Sequence, residues 1–141
     1  MLKQLHDMAG KGIDFAFEST LASRSYARWL SRLCVQGYDF HLFFMWLQSP
    51  EIAVQRVKER VRMGGHHIPE DIICRRYAKG IRNFFDLYQP LAQTWMVYDN
   101  SSADEMILVA DGIKEKSLAI NHQDLWTKFC ELKNEDRNQH T

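Results

Sequence analysis

Three short polar clusters in this sequence carry residue types suited to handling a phosphate group. The first, Glu18-Ser19-Thr20-Leu21-Ala22-Ser23-Arg24, supplies a carboxylate, hydroxyls and a guanidinium, with Thr20 and Arg24 spaced to share one helical face. The second is a run of cations, Arg56, Arg60 and Arg62 before Gly64-Gly65-His66-His67 and Arg75, Arg76, Lys79 and Arg82 after it. Arginine suits phosphate because its planar fork donates two parallel hydrogen bonds, and phosphoryl transfer needs that charge to neutralise the equatorial oxygens. The glycine pair reads as a flexible hinge that lets two basic helix faces close over an anion. The third cluster is Asp99-Asn100-Ser101, directly after an apolar stretch.

Each cluster also has an ordinary reading. Ser19 or Thr20 can cap a helix, the arginines can be solvated faces, and Asp99-Asn100-Ser101 can form a turn by bonding its own backbone. His66 and His67 near Cys74 do not make a zinc site, because adjacent histidines point apart and no fourth ligand has suitable spacing. Ala9-Gly10-Lys11-Gly12 is not a phosphate loop: the earlier glycine and the Ser or Thr after lysine are missing, and it precedes a strand candidate instead of following one.

The elements that must position these clusters follow from apolar spacing. Residues 13–17 read as a short buried strand and 21–35 as a helix stopped by Gly37. Residues 40–47 are apolar at successive positions, the pattern of a strand covered on both faces. Ser49-Pro50-Glu51 starts a helix that runs to Gly64-Gly65, and Pro69-Glu70-Asp71 starts another that stops near Pro90, with a break at Gly80. Residues 95–98 read as a strand, 106–109 and 117–120 as a hairpin around Asp111-Gly112, and 124–132 as a helix. Strands alternating with helices predict a mostly parallel sheet with ligands bound beyond its carboxyl ends, where the first and third clusters fall.

With 141 residues, 45% of them hydrophobic, the chain has the size of one domain. Its 18 basic and 18 acidic residues cancel, so no global field gathers nucleic acid or an anionic membrane. The longest apolar run is too short to span a bilayer. Three cysteines without a CxxC pair suit buried thiols in a reducing compartment, which predicts a cytoplasmic protein.

Taken together, the order of elements and the motifs in 17–24, 46–50, 60–71 and 98–101 resemble the zeta-toxin family of P-loop kinases over residues 5–126. The resemblance implies an α/β fold, a P-loop NTPase-like three-layer sandwich with a mostly parallel sheet, here with the N-terminal strand and phosphate-binding loop missing. Residues 1–130 would form the partial kinase domain and 131–141 a polar tail that frays. The implied activity is transfer of the γ-phosphate of ATP, with Mg2+, to a hydroxyl of a small-molecule acceptor such as a nucleotide-sugar. Carried over, Glu18, Thr20 and Arg24 would bind the acceptor, Arg62, Arg75 and Arg76 would clamp phosphates, and Asn100 and Ser101 would lie near the nucleotide. An antitoxin is the implied protein partner. In this fold the strand leading into the phosphate loop lies between residues 13–17 and 40–47, so two sheet edges are expected to stand open, inviting self-association. The alternative to a truncated kinase is a non-catalytic remnant that binds an antitoxin or a full-length relative.

Overall fold

The computed structural model describes residues 2–138, with side chains described for 3–135. Helix α1 (Leu2–Gly10) is followed by an irregular segment, then α2 (Ser25–Val35), β1 (His41–Trp46), α3 (Pro50–Arg62) and α4 (Glu70–Asn83). The last helix widens into a π-helical turn (Phe84–Tyr88) and a 3-10 turn (Gln89–Leu91) before β2 (Thr94–Asp99), β3 (Ile107–Ile113), β4 (Lys116–Ile120) and α5 (Gln123–Asn138).

The four strands lie in the order β1-β2-β3-β4. Only β1 and β2 pair in parallel, with Leu42 opposite Trp95 and Trp46 opposite Asp99; β2–β3 and β3–β4 are antiparallel. The expected mostly parallel sheet is therefore a mixed one. The predicted strand at 13–17 is not formed: these residues are irregular and pair with no strand among the described residues.

The side chains of Leu42, Phe44 and Trp46 share one sheet face with Trp95 and Val97, and the helices cover that face. There Phe84 meets Trp95 edge-on at 5.7 Å, Trp95 stacks on Trp126 at 5.6 Å, and Phe129 sits 5.2 Å from Trp46. The opposite face of β1 is bare: Phe43 is 59% exposed and Met45 48%. Hence the described residues form two layers over β1 and not the three of a sandwich.

The hairpin is longer than its sequence signal. Asp111-Gly112 belongs to β3, and the turn falls at Lys114-Glu115, because the Trp95 ring occupies the space that a Cβ at Gly112 would need and donates its Nε1–H to the Lys114 carbonyl at 2.7 Å. Helix α5 also outruns its expectation. Residues 131–138 stay helical, with Lys133 paired to Asp86 at 3.7 Å and lying over the Phe85 ring; residues 139–141 of the expected tail lie outside the described residues. The cysteines are less buried than expected, Cys34 and Cys130 half-buried and Cys74 exposed on the outer face of α4. No helix among the described residues is long and apolar enough to cross a membrane.

Candidate functional site

The carboxyl ends of β1 and β2 are tied together by Asp99, which is 4% exposed. A buried carboxylate must be hydrogen-bonded to persist. Ser101 donates its backbone N–H at 3.0 Å and its hydroxyl at 2.5 Å to Oδ1, and Gln48 donates Nε2–H to Oδ2 at 2.7 Å. The Ser101 hydroxyl in turn accepts the Gln48 backbone N–H at 2.9 Å, and Lys128 Nζ donates to Gln48 Oε1 at 3.1 Å. Arg56 reaches across from α3 to donate to the Asn100 carbonyl. Asn100 and Ser101 thus lie at a strand end, as expected, but the Ser101 hydroxyl is fully engaged in holding it together.

The loop 18–24 is pinned from the other side by α4. Gly80 stands where a Cβ would lie 2.7 Å from the Thr20 carbonyl oxygen. Buried Asn83 donates Nδ2–H to the Leu21 carbonyl at 2.7 Å, and Tyr88 donates its hydroxyl to the Ser23 carbonyl at 2.5 Å. These contacts hold Leu21 in a left-handed conformation, φ 59°. The Gly80 break predicted from sequence is not present; α4 runs through it to Asn83.

Helices α3 and α4 form a pair beyond β1. Ser49 caps α3, accepting the Ile52 N–H at 3.4 Å. Its end is a tight stop in which Gly65 N–H bonds the Arg60 carbonyl at 2.7 Å and Gly64 N–H the Val61 carbonyl at 3.1 Å, with Gly64 at φ 98°. The glycine pair thus terminates α3 where the sequence reading ended the helix. Lys58 joins Glu70 at 3.1 Å across the turn. Tyr77 fastens α4 to β1, donating to the Leu47 carbonyl at 2.6 Å and accepting from Trp46 Nε1 at 3.3 Å. Burial pushes its phenol up to about 12.

Between this pair and β1 lies a cavity of about 570 Å³. Its wall is mainly apolar, with Phe44, Trp46, Val57 and Ile73, and its cations are Arg56, Arg60 and Arg76. Thr20 stands at the same cavity. Of the residues singled out from sequence, the structure brings Thr20 and Arg76 together here and links Asn100 to it through Arg56. Arg62 and Arg75 do not line it, and Arg75 is exposed and faces Asp71 at 3.8 Å. Arg24 is also exposed, one residue before α2, and lines neither this cavity nor the next. Glu18 lies instead on a second cavity, of about 810 Å³, between residues 15–21 and β1.

Arg56 and Arg60, named in the basic run but not among the expected site residues, carried a further signal. Ala53, Arg56, Val57 and Arg60 recur at the i, i+3, i+4, i+7 spacing of one helix face, as do Ile73, Arg76, Tyr77 and Gly80. Arg62 and Arg75 fall off those stripes. Among the described residues no group of three or more His, Cys, Asp or Glu is arranged to hold a metal ion.

A protein of Haemophilus influenzae described as uncharacterized is 38% identical over 65 residues, which is 46% of this chain and 46% of the relative, so the match spans about half of each. No solved structure matches the chain. The sequence profile of the zeta toxin family matches residues 1–107, which include the loop 18–24, both arginine-bearing helices and the Asp99 clip, and the chain belongs to that family.

Proposed function

We propose that this chain supplies the acceptor-binding and phosphate-clamping part of an ATP-dependent kinase that phosphorylates a hydroxyl of a small molecule, with a nucleotide-sugar as the acceptor class that the family relationship suggests. The observation that carries the reading is the cavity of about 570 Å³ at the end of β1, lined by Thr20 and by Arg56, Arg60 and Arg76 from two helices, with Glu59 the one acidic residue in its wall. In this reading Arg56, Arg60 and Arg76 neutralise phosphate oxygens and Thr20 orients the acceptor, while Glu18, on the second cavity, joins them only if the 18–24 loop shifts. Arg62 and Arg75 then serve only if the helices shift, and Arg24 only if the 18–24 loop does.

ATP and Mg2+ are the cofactors that the family implies. The residues present fit part of that demand. The Asn100 side chain is the polar group left at the strand end once Ser101 is engaged, while the amide cradle and lysine of a phosphate loop would come from polypeptide outside these 141 residues. Bound Mg2+ would offset phosphate charge alongside the arginines. A cytoplasmic location and an antitoxin partner belong to the same proposal.

The test uses the gene product as the cell makes it, with its intact mass and upstream reading frame determined. Transfer from ATP with Mg2+ to a panel of nucleotide-sugars, followed by phosphorus NMR, should be seen and should fall at least about tenfold in Arg76→Ala, the loss of one charge-assisted phosphate contact. Transfer unaffected by Arg76→Ala and by Arg60→Ala refutes the assignment. A native mass of 141 residues without transfer favours the second reading, a non-catalytic binding module, for which the bare edge and face of β1 are the specific support.

A further inference from the structure

Gln48 stands between two groups that demand opposite ends of its amide. A side-chain amide carries an acceptor oxygen at one end and a donor nitrogen at the other, whereas a lysine ammonium only donates and a carboxylate only accepts. Lys128 Nζ donates to Gln48 Oε1 at 3.1 Å, and Gln48 Nε2 donates to Asp99 Oδ2 at 2.7 Å. With Lys128 in place the amide has one orientation. No other donor among the described residues reaches Oε1, so without Lys128 the amide is free to flip, which would set its oxygen against the buried carboxylate.

What the amide holds is the joint between the sheet and the first arginine-bearing helix. Asp99 closes β2, Gln48 lies two residues beyond β1, and Ser49 caps α3, which carries Arg56 and Arg60 to the cavity of about 570 Å³. Gln48 is fastened twice, by its backbone N–H to Ser101 and by its side chain to Asp99, so the start of α3 is tied to the end of β2. Arg56, two turns along α3, closes the circuit on the Asn100 carbonyl. An amide that turns releases one of the two fastenings at the root of that helix.

Lys128 is delivered to Gln48 by the anchoring of α5, where Trp126 stacks on Trp95 and Phe129 sits against Trp46 at the end of β1. Its side chain is exposed and joins no ion pair among the described residues. An exposed lysine on a neutral amide adds little to stability, so its effect lies in which way the amide points. Helix α5 also lies beyond residues 1–107, the part that the family profile matches.

We propose that Lys128 is a positioning residue for the arginine cavity: by fixing the Gln48 amide it holds the start of α3, and with it Arg56 and Arg60, where they receive phosphate oxygens. The role of those arginines rests on the function proposed above. The relay from Lys128 through Gln48 to Asp99 is a separate claim and is tested separately.

Nitrogen–proton correlation spectra follow the Gln48 side-chain amide, identified by its absence in Gln48→Met. The amide should keep its position in Lys128→Arg, which retains a donor, and move toward that of free glutamine in Lys128→Met, with Tm changed by no more than about 2 °C because Lys128 is exposed. Inorganic pyrophosphate, titrated calorimetrically, should bind about threefold or more weakly to Lys128→Met and recover to within about twofold in Lys128→Arg. Adding Lys128→Met to Gln48→Met should cost no further affinity, since the two residues act as one relay. A parent chain that does not bind pyrophosphate at millimolar concentration refutes the proposed phosphate clamp and this inference together. Three results overturn this inference alone: a Gln48 amide unmoved in Lys128→Met, pyrophosphate affinity unchanged in that variant, or a loss that persists in full in the Gln48→Met background, which makes Lys128 a charge acting directly on the anion.

Discussion

Replacing Gly80 by alanine sets two opposing effects against each other, and the structure decides which wins. In a helix interior the exchange normally stabilises by about 0.8–1 kcal/mol, because alanine loses less backbone entropy on folding. Here the new Cβ would stand 2.7 Å from the Thr20 carbonyl oxygen, a backbone atom that cannot rotate away. Overpacking of this kind costs about 1–3 kcal/mol. If the loop retreats, the bond from buried Asn83 to the Leu21 carbonyl goes with it, leaving a buried amide without its acceptor at a further cost of about 1–3 kcal/mol. The net expectation is a destabilisation of up to about 2 kcal/mol if the loop holds and of about 1–5 kcal/mol if it retreats, with a fall in Tm of roughly 4 °C for each kcal/mol at this chain length. The assay is thermal unfolding of Gly80→Ala beside Gly10→Ala. Gly10 sits in α1, where an added Cβ would meet nothing within 4 Å, so its exchange should stabilise by about 0.4–1 kcal/mol. The Asn83 side-chain amide resonance should shift in the first variant and stay in place in the second. A Gly80→Ala protein that melts at or above the parent temperature would refute the claim that α4 grips the 18–24 loop through this contact.

The Tyr77 phenol, held neutral by burial with its pKa pushed up to about 12, should make stability fall as pH rises from about 10 to about 12, because the unfolded tyrosine ionises first and the folded one does not. Tyr77→Phe should lose about 1–2 kcal/mol near neutral pH and reduce that slope, leaving the part due to Tyr88, whose phenol burial also pushes up, measured by urea unfolding across the window. Ser101→Ala should cost about 1–3 kcal/mol in the same assay, since it strips one donor from buried Asp99 and leaves the Gln48 N–H without its acceptor. In a phosphotransfer assay of the complete gene product, Arg76→Ala should lower kcat/KM about tenfold or more, while Arg75→Ala, whose parent side chain faces Asp71 away from the cavity, should stay within about twofold.

Much of the element order is legible in the sequence because each signal is local. Ser49-Pro50-Glu51 starts α3 and the paired glycines stop it, and these choices need no distant partner. What is not legible depends on contacts across the fold. Gly80 looks like a helix break until Thr20 is known to lie against it, and Gly112 looks like a turn until Trp95 is known to need its space. Residues 13–17 have strand composition, yet a strand exists only when a neighbour completes its ladder, and no sequence window shows whether that neighbour is present.

Contacts across the fold also separate the two groups of arginines. Charge density alone joined Arg62 and Arg75 to Arg76; helical phase puts only Arg76, with Arg56 and Arg60, on faces that also carry Val57, Ile73 and Tyr77 toward β1. β1 is therefore the shared wall of both cavities: Phe44 and Met45 line each of them, and Thr20 stands where they meet.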